Sequence, residues 1–304
     1  MKIFSPEYYK NFVCIADKCR HSCCIGWEID VDRSTAKKYA SLNEGYGLEI
    51  QKSITKRGVP HFKLKKDDRC PHLNEKGLCK IILNLGEGYL CHICREHPRF
   101  YNYTSLGKEV GLGLSCEEAC RIILSSDNYE SFVELGEICE DEETVEAPEF
   151  DATVHRKTIF DILKDRSIPY SQRLQKISEA YGVSPVVIPD ETWISTLDSL
   201  EYLNNSHKAI FACYSSEIND CKELENYLER ALAYFIFRHC SNTEDSGEFR
   251  AALGFSLFCE RLLASLCRNT KNFEEICNMA RIISEELEYS EDNTEIIKTE
   301  FYFC

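Results

Sequence analysis

Ten of the 18 cysteines in this chain lie within residues 14–120, where they form four short clusters. The clusters are FVCIADKCRHSCCIGW, DRCPHLNEKGLCK, YLCHICREHPRFY and LSCEEAC. Thiolates three to five residues apart can converge on one metal, because a loop can fold round a centre about 2.3 Å from each sulfur. Four such clusters in one region therefore predict a fold that is organised round bound metal.

The N-terminal sequence bears on the redox state of these thiols. It reads MKIFSPEYYKNFVC, and Pro6 and Glu7 interrupt the place where a signal peptide would need an apolar core. We expect no secretory signal and a cytoplasmic location, where thiols are kept reduced. No run approaches 18 consecutive apolar residues, so we expect no membrane span. Cysteines in such a chain favour metal binding or catalysis over disulfides.

Charge divides the chain in two. Residues 1–138 carry 20 basic and 19 acidic side chains, whereas residues 139–304 carry 16 and 32. The net charge of -15 argues against a nucleic-acid partner, which would require a basic surface. An acidic run over residues 137–143, followed by Pro148, marks the change in charge. We predict a cysteine-rich metal- or iron–sulfur-binding region over 1–138 and a helical region over 139–304.

The predicted fold class is mainly α, with a loop-rich, metal-binding N-terminal unit and a helical C-terminal bundle. Glycine and proline interrupt the first half densely, and only short helices and strands are expected there, including strands at His61–Leu64 and Glu109–Leu114. The second half has apolar residues at helical spacing. Its predicted helices are His155–Arg166, Ser171–Tyr181, Glu191–Leu203, Cys221–Cys240, Glu248–Arg268 and Phe273–Glu288.

The other eight cysteines stand alone, and most are predicted to be small buried apolar residues. They are Cys139, Cys213, Cys221, Cys240, Cys259, Cys267, Cys277 and Cys304.

The spacing of the clustered cysteines leaves zinc and iron–sulfur both open. Only Cys91 and Cys94 have the Cys-x-x-Cys spacing of a zinc knuckle. The adjacent Cys23 and Cys24 are awkward ligands for one small ion and could serve two centres. Three histidines, His72, His92 and His97, are spaced to join a metal site, although such histidines more often lie beside one.

Other catalytic signatures are absent from the sequence. It has no three-cysteine motif of radical S-adenosylmethionine chemistry, no phosphate loop, no dinucleotide fingerprint, no Gly-x-Ser-x-Gly elbow and no His-Glu-x-x-His.

Taken in order, the cysteine clusters resemble the flagellin lysine-N-methylase family, which shares its cysteine module with a broader group of zinc- or iron-chelating proteins. The similar elements are Gly26-Trp27, Cys70-Pro71, Gly77-Leu78-Cys79, Pro98-Arg99 and Leu114-Ser115-Cys116, together with the later stretch ENYLERALAYFIFRHC. Eight cysteines match the pattern and are the predicted metal ligands: Cys14, Cys19, Cys23, Cys24, Cys70, Cys79, Cys94 and Cys116.

Two departures from the family accompany this resemblance. Glu117 stands where the family has a proline after Cys116, and from the sequence alone this substitution is a minor change. The chain is also shorter than well-known members of the family. Cys91 and Cys120 lie outside the pattern.

The resemblance implies methyl transfer from S-adenosylmethionine to lysine side chains of flagellin, with a [4Fe-4S] cluster held by some of these cysteines. Zinc is the alternative metal. The alternative function is an iron–sulfur or zinc protein with a redox, sensing or protein-interaction role and no methyl transfer. The sequence identifies no catalytic base and no S-adenosylmethionine site, and it leaves the oligomeric state open.

Aromatic side chains near the clusters are candidates for contact with a sulfonium cation, although such residues more often belong to the core. They are Trp27, Tyr89, Phe100, Tyr101 and Tyr103. Arg95 and Arg99 flank Cys94 and could bind a carboxylate. The acidic second half could attract lysines of a substrate protein.

Overall fold

The computed structural model describes residues 1–55, 57–138, 149–218 and 222–302. The chain divides into two units, which we call the helical unit (residues 1–12, 100–115 and from 119 onward) and the cysteine unit (residues 13–99 and 116–118). The predicted boundary near residue 138 adjoins residues 139–148, which lie outside the described residues. The division into 1–138 and 139–304 therefore stays a prediction.

Four short helices form the regular structure of the cysteine unit: α1 (Arg33–Ala40), α2 (Tyr46–Ser53), α3 (Lys80–Leu85) and α4 (His92–Glu96). Asp32 accepts hydrogen bonds from the backbone N–H of Thr35 at the start of α1, at 3.0 Å, and of His92 at the start of α4, at 2.8 Å. One carboxylate thus caps the first helix and fixes the last.

The core of the cysteine unit is small and apolar. Its buried side chains are Ile29, Val31, Tyr39, Ile50, Phe62, Cys70, Leu73, Ile81 and Cys91. Sheet pairing is limited to single bridges, such as Ile54 with Phe62. The strand predicted at His61–Leu64 is therefore wrong: these residues pair only through isolated bridges, and the aromatic side chain of Phe62 packs into the core instead.

A four-stranded sheet belongs to the helical unit. Its strands are β1 (Lys2–Pro6), β2 (Arg99–Thr104), β3 (Gly107–Leu112) and β4 (Phe132–Glu137). The strand order is β2-β3-β1-β4, with β1 parallel to β3 and antiparallel to β4. The strand predicted at Glu109–Leu114 corresponds to β3, shifted by two residues, whereas the other three strands were not predicted.

Nine helices follow in the described residues. They are α5 (Glu117–Ser125), α6 (Ala152–Lys164), α7 (Tyr170–Tyr181), α8 (Asp190–Ser199), α9 (Asn205–Phe211), α10 (Lys222–His239), α11 (Ser246–Leu266), α12 (Phe273–Ile283) and α13 (Glu291–Tyr302). Residues Ser284–Glu288 continue α12 as a π-helical turn. The mainly α fold class is confirmed. None of the helices in the described residues is long and apolar enough to cross a membrane.

Two helices form the centre of the helical unit. Helix α11 is buried on almost every side, which is typical of a core helix, and α10 packs against it. The predicted apolar face of α10, from Leu224 to Ile236, is buried, but so are Glu229 and Arg230 on its other faces. Gly182 ends α7 in the left-handed region, with φ of 62°, as its position predicts.

Charged side chains inside the helical unit have partners. The Arg156 guanidinium donates two hydrogen bonds to the Glu109 carboxylate, at 2.7 and 2.5 Å, and both residues are buried. Glu260 accepts a hydrogen bond of 3.0 Å from the Tyr170 hydroxyl, and burial raises the pKa of its carboxyl to about 7. The arginine compensates for taking the Glu109 carboxylate out of water, whereas the hydrogen bond from Tyr170 offsets the burial of Glu260 only in part.

Candidate metal centre

All eight predicted ligands lie in the cysteine unit, and Cys91 lies there as well. Cys120 belongs to the helical unit, where its thiol donates to the carbonyl of Cys277. None of the described cysteines forms a disulfide. The unit thus contains nine thiols, which fall into two groups.

The first group, which we call the inner thiols, lies in the apolar core of the unit. Cys70 and Cys91 are buried members of that core, with exposed fractions of 5% and 0%, and three half-buried cysteines pack against it. The inner thiols are Cys24, Cys70, Cys79, Cys91 and Cys94.

Backbone pairing brings the inner thiols together from distant parts of the sequence. The Cys70 N–H donates to the Cys24 carbonyl at 2.9 Å, and Leu73 and Cys79 form a bridge. Cys79 and Cys91 immediately precede α3 and α4. Side chains at the start of a helix face free N–H groups, which favour a negatively charged sulfur.

The electrostatics of the inner thiols reflect this crowding. Burial raises the pKa of Cys70 to about 12, and the nearby Cys24 and Cys79 add to the rise. Burial also raises the pKa of Cys79, with Cys24 and Cys91 adding to it. Hydrogen bonds from the backbone act in the opposite direction and lower the pKa of both thiols. At Cys79 the donors are Ile81 and Ile82. A bound cation would replace the missing solvation of these thiolates.

Cys91 and Cys94 lie one turn apart, and their thiols share a hydrogen bond. That bond lowers the pKa of Cys91 and raises the pKa of Cys94. The Tyr39 hydroxyl also lies against the Cys91 sulfur, and it donates to the Tyr89 carbonyl. Cys91 therefore lies among the inner thiols, although it is outside the family pattern. Its Cys-x-x-Cys spacing with Cys94 was the available signal in the sequence.

The second group, which we call the outer thiols, lies outside that apolar core. Cys14 and Cys23 are exposed, and the other two are half-buried. Burial raises the pKa of Cys19 to about 11, and Glu117 and Cys116 add to the rise. The outer thiols are Cys14, Cys19, Cys23 and Cys116.

Glu117, next to Cys116, holds the loop that carries Cys19. Its carboxylate accepts hydrogen bonds from the backbone N–H of Arg20, at 2.8 Å, and of His21, at 3.2 Å, and from the Arg20 side chain at 3.1 Å. The Cys19 thiol lies 3.7 Å from the same carboxylate. The loop that carries Cys19 is thereby fixed beside Cys116. Glu117 is not a minor change, because proline could make none of these bonds.

Cys23 and Cys24 are neighbours in sequence but belong to different groups. The Cys23 thiol donates a hydrogen bond to the Cys24 sulfur, which raises the pKa of Cys23 and lowers that of Cys24 to about 7. The other groups that affect these two pKa values are different. Cys116 and Cys14 further raise the pKa of Cys23, whereas Arg69 and the Ser22 hydroxyl lower the pKa of Cys24. The two groups therefore meet at this pair of residues.

The donor chemistry fits a soft metal. Thiolates select zinc and iron–sulfur clusters over magnesium or calcium. Sulfurs round one zinc ion lie about 3.8 Å apart, since each is about 2.3 Å from it. Among the described residues, two groups bring three donor atoms within 4.8 Å of one another, Glu28-Asp30-His61 and His207-Glu285-Glu286, and neither contains a cysteine. In the described part of the chain, no three thiols lie within that distance of one another.

The histidines near the cysteines have other roles. Both ring nitrogens of His72 contact hydroxyl groups, of Tyr46 at 2.6 Å and of Ser53 at 2.9 Å. Burial lowers the pKa of His72 to about 4. His92 is exposed, and His97 packs edge-on against Trp27. His72 thus supports the core beneath the inner thiols rather than offering a free ligand atom.

The aromatic and arginine candidates divide between the two units. Trp27 donates to the Cys23 carbonyl at 2.7 Å, and the Lys38 ammonium lies over the Tyr89 ring. Arg95 pairs with Glu96, and Arg99 donates to the Arg95 carbonyl. The other three aromatic candidates, Phe100, Tyr101 and Tyr103, belong to the helical unit.

Within the described part of the chain, the isolated cysteines are mostly buried, as predicted. Cys240, Cys259, Cys267 and Cys277 are buried, whereas Cys213 is exposed. Cys139, Cys221 and Cys304 lie outside the described residues.

Comparison with known proteins gives partial matches. The chain is 29% identical over 130 residues to proteins named lysine-N-methylase from Salmonella choleraesuis (strain SC-B67) and Salmonella typhimurium (strain LT2), and each match covers 40% of this chain and 32% of the relative. It is 28% identical over 130 residues to the flagellar biosynthetic protein FliU of Salmonella muenchen, covering 40% of this chain and 77% of that protein.

The matched segment spans about a third of the length of the two lysine-N-methylases. No protein-family profile matches the chain, and no solved structure matches it. The chain is therefore similar, across two fifths of its length, to proteins named for lysine methylation and for flagellar biosynthesis.

Proposed function

We propose that this chain is a protein-lysine N-methyltransferase that takes a methyl group from S-adenosylmethionine and acts on flagellin in the cytoplasm. The observation that carries the proposal is the similarity to proteins named lysine-N-methylase, and the similarity to FliU supports a flagellar substrate. The convergence of nine thiols in one unit supports a metal-dependent enzyme.

The chain's thiols would hold the metal, which we propose to be iron in a [4Fe-4S] cluster. Four of the five inner thiols provide enough ligands for such a cluster. When bound, it would supply electron transfer or, if only three of these thiols bound it, a place for the amino and carboxylate groups of S-adenosylmethionine. The backbone N–H groups that reach Cys70 and Cys79 would stabilise the thiolates, as hydrogen bonds to cluster sulfurs do.

Methyl transfer places two demands on the protein. A bond forms between the lysine nitrogen and the methyl carbon as the carbon–sulfur bond breaks, so the three atoms must be held in line. The amine must first lose a proton, since a free lysine has a pKa of about 10.4. Residues 139–304 carry 16 basic and 32 acidic side chains, and this charge would attract the lysines of a substrate protein.

The experiment is a methyl-transfer assay with anaerobically purified protein, S-adenosylmethionine carrying a labelled methyl group, and flagellin of the same organism. We expect the label on flagellin lysines, located by peptide mass spectrometry. Lack of transfer by protein that contains its metal would refute methylation and leave the alternative, a metal-binding protein with a redox, sensing or interaction role.

Two variants make the assay specific to the thiols. The double variant Cys70→Ala with Cys79→Ala leaves three inner thiols and should abolish transfer together with the metal held by the inner thiols. Cys259→Ala removes a buried thiol of the helical unit and should leave both unchanged. Equal loss in the two variants would indicate general destabilisation instead of a metal requirement.

A further inference from the structure

We propose that the cysteine unit binds two separate thiolate-held metal centres, one on the inner thiols and one on the outer thiols. The inner centre would use four of Cys24, Cys70, Cys79, Cys91 and Cys94, and the outer centre would use Cys14, Cys19, Cys23 and Cys116. This inference rests on the metal-binding part of the proposed function and is independent of methyl transfer.

The number of thiols is the first argument. One tetrahedral zinc ion or one [4Fe-4S] cluster takes four cysteine ligands. The cysteine unit brings together nine cysteines, five in the inner group and four in the outer group. A single centre would leave five thiols in one small unit without a role, whereas two centres use eight.

The surroundings of the two groups are the second argument. The inner thiols belong to the apolar core, and Cys91 is fully buried there beside Tyr39. The outer thiols lie outside that core, and the loop carrying Cys19 is tied to Cys116 by the Glu117 carboxylate. Each group thus has its own supporting structure, and the two groups meet at the hydrogen bond between the Cys23 and Cys24 thiols.

The sequence neighbours Cys23 and Cys24 are the third argument. Trp27 donates a hydrogen bond to the Cys23 carbonyl, and the Cys24 carbonyl accepts one from the Cys70 N–H. The second bond ties the backbone at Cys24 to Cys70, another inner thiol. Two adjacent cysteines are poor ligands for one small ion, but they can each complete a different centre. The two centres would then be close neighbours in the folded unit.

The test begins with the full chain purified under anaerobic conditions. Iron, zinc and acid-labile sulfide are measured per chain, which distinguishes clusters from single zinc ions. The chain is then treated with iodoacetamide before and after removal of metal by a chelator, and each cysteine is scored by peptide mass spectrometry. This measurement needs no variant, so it does not depend on whether an altered chain folds.

We expect metal to slow alkylation in both groups, by tenfold or more at Cys14 and Cys19 as well as at Cys70 and Cys79. Cys213, an exposed cysteine of the helical unit, provides the control and should react equally fast in both states. Protection of one group alone, or metal content sufficient for one centre only, would overturn the inference.

Two double variants give an independent readout. Cys14→Ala with Cys19→Ala should remove one part of the metal and its spectroscopic signal, and Cys70→Ala with Cys79→Ala should remove the other part. The two losses should sum to the content of the unaltered chain. Loss of all metal from the outer double variant, with Cys70 and Cys79 becoming reactive, would show a single centre.

The outcome also separates this inference from the proposed function. A chain without any thiol-bound metal would overturn the inference together with the metal part of the proposed function. A chain with one centre that methylates lysine would overturn the inference alone.

Discussion

The hydroxyl of Tyr39 lies 3.7 Å from the sulfur of Cys91, in the core of the cysteine unit. The same hydroxyl donates a hydrogen bond of 2.5 Å to the Tyr89 carbonyl, and the tyrosine is fully buried. One phenol group thus connects helix α1 to the segment that leads into Cys91. This contact joins the architecture of the unit to the candidate metal centre.

Tyr39→Phe keeps the ring in the core but removes both contacts of the hydroxyl. We expect the free energy of unfolding to fall by about 1–3 kcal/mol, because the half-buried Tyr89 carbonyl loses its donor. Urea unfolding measures the change. Tyr103→Phe, at an exposed tyrosine of the helical unit, is the matched control and should have no effect. Equal stability of the Tyr39 variant and the control would contradict the assigned role.

Glu117→Ala removes the carboxylate that holds the loop at Arg20 and His21. We expect a cost of about 1–3 kcal/mol, since two backbone donors lose their acceptor. We also expect faster alkylation of Cys19, with that of Cys70 unchanged.

Glu75→Ala is the matched control for this prediction, because it removes the same charge from an exposed position in the cysteine unit. Peptide mass spectrometry follows both cysteines in one experiment. If the reaction of Cys70 accelerated as much as that of Cys19, the two groups of thiols would not be held independently.

Glu260 should make stability depend on pH. Burial raises the pKa of its carboxyl from 4.5 to about 7, so the folded chain binds a proton that the unfolded chain has released between these values. The contribution of this carboxyl group to the free energy of unfolding is therefore fully present below about pH 4.5, and it is lost as the pH rises through 7. Glu260→Gln, which keeps an acceptor for Tyr170, removes the dependence.

We expect Glu260→Gln and the unaltered chain to have similar stability at pH 5. At pH 8 the variant should be more stable, by on the order of 3 kcal/mol. Urea unfolding at the two pH values measures the difference. A constant difference across this range would mean that the Glu260 carboxyl does not change its protonation.

The buried pair of Arg156 and Glu109 should show strong coupling. Arg156→Met leaves a buried carboxylate without its partner, and we expect a cost of about 3–5 kcal/mol. The double variant Glu109→Leu with Arg156→Met should cost less than the sum of the two single changes. A double-mutant cycle based on thermal or urea unfolding tests this, and additive costs would refute the coupling.

The helical part of the fold was largely predictable because its signal is local. Apolar residues at helical spacing predict α10 and α11 to within two residues at each end. The burial of Glu229 was not predictable, since its partners Tyr129 and Arg173 come from distant parts of the sequence. Strands β1 and β4 were missed for the same reason, since β1 pairs with residues more than a hundred positions away.

The sequence identifies most of the cysteines that share one unit, but not how they are arranged. Spacing and resemblance identify eight of the nine cysteines that share one unit. They do not show that Cys23 and Cys24 belong to different groups, because that depends on backbone pairing with Cys70. Nor do they show the role of Glu117, whose partners lie about a hundred residues earlier in the chain.

The placement of Cys116 in the cysteine unit has a consequence for biosynthesis. All the inner thiols are present once residue 94 has been synthesised. The outer thiols are complete only with Cys116, which is added 22 residues later, after the β2–β3 hairpin. A ribosome that adds about 5–20 residues per second needs about 1–4 s for that interval. During this time the nascent chain has all the inner thiols and an incomplete outer set, so under the two-centre proposal the inner centre would be the first able to bind metal.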